Sequence, residues 1–173
     1  MAGGLAVAAL GFGILAGAGA ESGLAVVVTA SVVLSCGLAP VFTLATDLIV
    51  SAARPRQAGA ASGLAETGSE LGGALGIAAL GSLGTAVYRS QIAGGLPPGI
   101  SPAAAATTRD TMGGAVDVAA KLPDELGAAL LATAREAFMS GMRISAAGSA
   151  VLAVGLAVVT LALLRSGRAE STS

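Results

Sequence analysis

Long runs nearly free of polar side chains alternate with short polar clusters along this chain. A helix needs about 20 apolar residues to cross the hydrocarbon core of a bilayer. Ala2 to Ala20 carries no charge, and Glu21-Ser22-Gly23 interrupts it. A second run extends from Leu24 to Val50 with Pro40 inside it. Proline is tolerated in membrane helices because neighbours and waters re-satisfy the freed carbonyl. Arg54-Pro55-Arg56 then stops the helix. A third helical stretch covers Ala58 to Tyr88, but its apolar part, Leu71 to Val87, is only 17 residues long. It crosses only if the turns bearing Glu66 and Glu70 sit near the interface or face protein. The last apolar run, Ile144 to Leu164, lies between Arg143 and the pair Arg165 and Arg168. The expected architecture is an all-α membrane protein with four transmembrane helices, at about 2–20, 24–50, 58–88 and 141–165.

Residues 89–140 are too polar to continue a span and form a loop with its own organisation. Gly94-Gly95-Leu96-Pro97-Pro98-Gly99 is a turn cluster. Ser101 to Thr108 reads as an Ala/Thr linker. Asp110–Leu122 and Asp124–Met139 read as two short amphipathic helices. Pro123, Asp124 and Glu125 suit a helix start, and Leu126, Leu130, Ala134 and Phe138 recur at about one-turn spacing. The segment is expected to rest on the membrane face as a cap.

Orientation follows from Lys and Arg in the short connections. Arg54 and Arg56 fall on the same side as Arg165 and Arg168, whereas the opposite short loop offers only Glu21. That side is the cytoplasm, which places both termini and the tail 166–173 inside and the long loop 89–140 outside. The first apolar run starts without the basic flank that a signal peptide needs, as in a chain that begins in the middle of something larger. Alanine and glycine abound, and eight Arg stand beside one Lys, a bias that fits a GC-rich bacterial genome. The expected location is a bacterial inner membrane.

Composition narrows the chemistry. Hydrophobic residues make up 54% and charged residues 11%, against about 25% charged in a soluble domain. A net charge of −1 offers no basic footprint for nucleic acid. There is no His, and the single Cys36 lies mid-span, so a thiolate cluster or an intrachain disulfide is impossible. No phosphate-binding loop, catalytic triad or metal-ligand spacing occurs. The expectation is therefore no enzyme, no catalytic residues, no metal and no cofactor, with the lipid bilayer as the first partner.

Two sets of residues stand out on the third helix. Gly68, Gly72 and Gly76 repeat every four residues, which lets another helix approach closely or lets this one bend, so packing and gating are their candidate roles. Glu66 and Glu70 are neighbours on one face. Together with Asp47 they are candidates for a proton or substrate pathway, because an ionisable group at membrane depth is functional by default. The plainer alternative is pairing with the basic loop residues Arg54 and Arg56, or hydration at the interface.

The order of these elements resembles the C-terminal part of the fourteen-helix drug:proton antiporters of the major facilitator superfamily. The resemblance is carried by Ala45 to Val50 and Arg54 to Leu64, then by Ser69-Glu70-Leu71-Gly72-Gly73-Ala74-Leu75-Gly76. Ala79 to Ser82, Val87-Tyr88-Arg89, and Ala134 to Phe138 with Gly141 extend it over essentially the whole chain. It implies the last four helices of a proton-coupled multidrug efflux transporter acting on hydrophobic small molecules. The substrate cavity of such a transporter lies between two helical halves. The first half, with its coupling motifs, has no counterpart in this sequence, so the piece is expected to be incompetent for transport alone. Its partners would be the missing half or identical copies. The alternative is a small four-span membrane protein working as an oligomer or accessory subunit.

Overall fold

In the computed structural model, residues 1–19 and 22–170 are described, with side chains as far as Leu163. Six α-helices follow in order: α1 (Ala2–Gly17), α2 (Leu24–Ala52), α3 (Ala58–Gly95), α4 (Pro102–Asp110), α5 (Met112–Ala119) and α6 (Asp124–Glu170). A single 3-10 turn, Pro55–Gln57, joins α2 to α3. Among the described residues there is no strand. The expected all-helical class is therefore present. The four long helices lie side by side in the order α2, α1, α6, α3, and α2 and α3 touch only sparingly. The small helices α4 and α5 pack across the ends of α3 and α6.

Three helices, α2, α3 and α6, are long and apolar enough to cross a membrane. The first run is shorter than its apolar stretch suggests. α1 ends at Gly17 after 16 residues, or about 24 Å, short of the roughly 30 Å hydrocarbon core. Glu21, the polar break after it, lies outside the described residues.

The loop also differs from its sequence reading. Ser101 to Thr108 is not a linker but most of α4, because Pro102 suits the first turn and the Ser101 hydroxyl accepts from the Ala104 amide at 3.3 Å. Asp110 ends α4, and Thr111 starts α5 by accepting from the Gly114 amide at 2.9 Å. The second amphipathic helix and the last span are a single helix, α6, of 47 residues. Nothing between Met139 and Ile144 can break it, since a change from polar to apolar side chains alters the surroundings and leaves the backbone ladder intact. At about 70 Å, α6 is more than twice the thickness of the hydrocarbon core, so a large part of it stands outside. α3 likewise continues beyond Tyr88 to Gly95.

Hydroxyls within the apolar helices satisfy themselves locally. Thr29 donates to the Ala25 carbonyl at 2.7 Å, Thr43 to Ala39 at 3.1 Å, and Thr160 to Leu156 at 2.7 Å. This removes the cost of a bare polar group facing hydrocarbon.

Helices in lipid lack a hydrophobic reason to associate, so close backbone approach must do it. α1 and α2 meet through Gly4, Ala8 and Gly11 against Gly37, Leu34 and Ala30. A Cβ on Gly37 would stand 2.5 Å from the Ala8 nitrogen. α3 and α6 cross at Gly84 and Gly141, where a Cβ on Gly141 would stand 2.5 Å from the Gly84 carbonyl oxygen. One turn away, Ser145 donates its hydroxyl to the Leu80 carbonyl at 2.8 Å. The expected outcome is that Gly141→Ala loosens the pair by about 1–3 kcal/mol. Gly72→Ala, with nothing within 4 Å of its new methyl, should be neutral or mildly stabilising. Thermal unfolding of the two variants in detergent measures the contrast.

Candidate functional site

Asp47 sits near the end of α2, and Glu66 and Glu70 sit in the first turns of α3, on either side of the turn carrying Arg54 and Arg56. All five side chains are exposed. No ion pair joins the acids to the arginines; among the described residues the sole ion pair is Arg89 with Asp110. α2 and α3 instead face each other through apolar and small residues. A cavity of about 440 Å³ lies between them, walled by Phe42, Thr46, Ile49, Leu64, Gly68 and Ser69. The three carboxylates are not in its wall.

Helical register explains where the two glutamates point. Glu66, Glu70, Gly73, Ile77, Leu80, Gly84 and Tyr88 follow one another at three- or four-residue steps, so they form one stripe along α3. The upper part of that stripe is joined to α6 through Leu80 and Gly84. Below Leu80 the stripe is uncovered, with Ile77 77% exposed. The glutamates thus continue the face that binds α6, at a level where α6 no longer covers it.

Gly68, Gly72 and Gly76 meet nothing within 4 Å of a Cβ built on them. The close contacts in this chain come from other glycines, chiefly Gly4, Gly37, Gly84 and Gly141. The spacing Gly4, Ala8, Gly11 carried that signal in the sequence. The pairing of Gly84 with Gly141 did not, because it joins residues far apart in the chain.

The best-ordered chemistry lies at the other end of α3. Tyr88 is buried and donates its hydroxyl to the Thr108 carbonyl at 2.8 Å. Arg89 reaches Asp110 at 3.3 Å. Tyr88, Ile92, Ala115, Ala134 and Ala137 form a small core, and Val118, Ala119 and Leu130 form a second beside it. Arg143 of α6 donates through Nε to the Ala16 carbonyl at 3.0 Å, placing a cation at the C-terminal end of the α1 dipole. Among the described residues no group of three or more His, Cys, Asp or Glu could hold a metal.

No family model matches the chain, and no solved structure matches it. Several curated proteins do, among them three that differ in name. The multidrug efflux pump LfrA of Mycolicibacterium smegmatis is 38% identical over 79% of this chain and 27% of its own length. The tetracenomycin C resistance and export protein of Streptomyces glaucescens is 35% identical over 82% of this chain and 27% of its own length. The methyl viologen resistance protein SmvA of Salmonella typhimurium is 39% identical over 65% of this chain and 23% of its own length. The chain belongs to the multidrug efflux transporters of the major facilitator superfamily. It spans about a quarter of the length of the transporters it matches.

In this chain, Tyr88 and Arg89 pin α4 to α3 with unequal strength. Tyr88→Phe leaves a buried carbonyl without its donor and should cost about 1–2 kcal/mol. Arg89→Gln removes an exposed pair and should cost well under about 1 kcal/mol. Hydrogen exchange of the α4 amides in the purified chain reads the difference, and equal effects would contradict it.

Proposed function

We propose that this chain is the C-terminal, four-helix part of a proton-coupled multidrug efflux transporter and is not transport-competent alone. The carrying observation is the bare lower half of α3. No residue of α3 from Ala58 to Val87 is buried within the chain. The same stretch carries two exposed carboxylates on an otherwise apolar helix. Carboxylates facing hydrocarbon are costly, so this face must meet protein or a water-filled path. A longer transporter supplies both, which favours the missing half over identical copies as the covering partner.

In this reading α1 is the first of four spans despite its length, with Arg143 closing its outer end. Residues between α3 and the membrane part of α6 form the extracytoplasmic cap. Arg54, Arg56 and both termini lie in the cytoplasm; the side chains of Arg165 and Arg168 fall outside the described residues. Glu66 and Glu70, with Asp47 across the turn, line the route of the coupling proton or the substrate. Gly68, Gly72 and Gly76 form the surface on which an absent helix packs or slides as access alternates. The substrate is a hydrophobic small molecule held between this part and the missing half.

Expression of the chain alone in a drug-sensitive bacterium should leave resistance unchanged. Raised resistance that disappears on Glu66→Gln or Glu70→Gln would overturn the claim that it cannot work alone. Topology has its own check. With Cys36 replaced by Ser, Lys121→Cys should react with an impermeant maleimide on intact cells, and Arg54→Cys should react only after lysis. The reverse labelling would sink the orientation.

A further inference from the structure

The C-terminal end of α1 meets the side of α6 beside two cavities that share Ser140 and Arg143 in their walls. One, of about 320 Å³, is bounded further by Ala16, Gln91, Ile144 and Ala147. The other, of about 400 Å³, lies toward the start of α6, where Arg135 and Glu136 line it. Arg143 marks the membrane boundary, because it is the last charge before the apolar run from Ile144 to Leu164. A long basic side chain at that level lays its stem on hydrocarbon and keeps its head in the polar layer.

Here the head is also fixed in place. Arg143 Nε donates to the Ala16 carbonyl at 3.0 Å, which fastens the guanidinium between α1 and α6. Its terminal nitrogens have no hydrogen bond or ion pair among the described residues. Arg135, about two turns nearer the start of α6, has none either. A guanidinium presents a planar fork of donors that matches a phosphate. The walls hold two such groups against the single carboxylate of Glu136. The end of α1 adds only about half a negative charge, so the balance is positive. Beyond Arg143, the first cavity continues over Ile144 and Ala147, both within the apolar run. Charge followed by hydrocarbon is the order of groups in a phospholipid; a free phosphate would leave the apolar part unused.

We infer that this is a binding site for an anionic phospholipid. Arg143 holds the phosphate, Arg135 adds attraction from farther out, and an acyl chain starts over Ile144 and Ala147. The lipid ties α1 to α6 at the level where α1, too short to cross by itself, ends at Gly17. The inference makes no use of transport, so it can fail while the efflux reading stands.

The test titrates the purified 173-residue chain in neutral detergent with phosphatidylglycerol or with phosphatidylcholine of the same acyl chains. Native mass spectrometry counts the bound lipids. The first phosphatidylglycerol should bind roughly ten-fold more tightly than the first phosphatidylcholine. Arg143→Gln should remove most of that preference, and Arg135→Gln should reduce it roughly five-fold. Glu136→Gln should increase it, because a repelling carboxylate is gone. Arg54→Gln with Arg56→Gln, at the other end of α3 from Gln91, should leave it unchanged. Soluble glycerol phosphate at the same concentration should not displace the lipid; full displacement would assign the site to a free phosphate and overturn the lipid. Equal binding of the two lipids, or a preference that ignores both Arg143→Gln and Glu136→Gln, would overturn the site. Should Arg143→Gln unfold for want of its bond to Ala16, the opposite signs expected at Arg135 and Glu136 still decide the matter.

Discussion

The backbone contact between Gly84 and Gly141 is the constraint on which the rest of the molecule depends. In lipid, two apolar helices gain nothing by hiding from solvent, so they associate through van der Waals contact and interhelical hydrogen bonds. Absent side chains at Gly84 and Gly141 let α3 and α6 come close enough for the Ser145 hydroxyl to reach the Leu80 carbonyl. This crossing fixes where α3 and α6 stand relative to each other as they leave the membrane region. α4 and α5 can then bridge them, and Tyr88 can find Thr108.

The consequence is a chain with two unlike ends. At the cap end, side chains such as Ile92, Leu130 and Ala134 are fully buried, as in a small soluble core. At the Arg54 end, α3 carries Leu71, Leu75 and Ile77 mostly exposed, with Glu66 and Glu70 among them. A helix end that carries exposed apolar side chains and two carboxylates is unsuited to lipid by itself. This asymmetry agrees with the proposal that the bare end belongs against the remainder of a longer transporter, while the cap end is complete within the chain.

Much of this was legible in the residues. The helical class, the apolar runs and the break at Arg54-Pro55-Arg56 follow from hydropathy and proline chemistry, which act locally. The resemblance carried by Ala45 to Leu64 and Ser69 to Gly76 agrees with the relatives found. Local signals misled in two places. The Ala/Thr segment after Ser101 looked like low complexity, but alanine is the best helix former once Ser101 and Pro102 start the helix. The polar–apolar junction near Gly141 looked like the boundary between two elements, but an α-helix crosses such a junction without interruption.

The sequence by itself determined that this protein is helical, apolar and suited to a membrane, because those properties depend on composition and on periodicity within a single helix. Only the tertiary structure decided which glycines pack, that Tyr88, Arg89 and Arg143 tie distant segments together, and that Glu66 and Glu70 stand clear of Arg54 and Arg56. The physical reason is that each of these depends on which helix lies beside which. The glycine repeat at 68, 72 and 76 looks like the tightest contact in the sequence, yet Gly84 and Gly141, 57 positions apart, make the contact that α3 and α6 share.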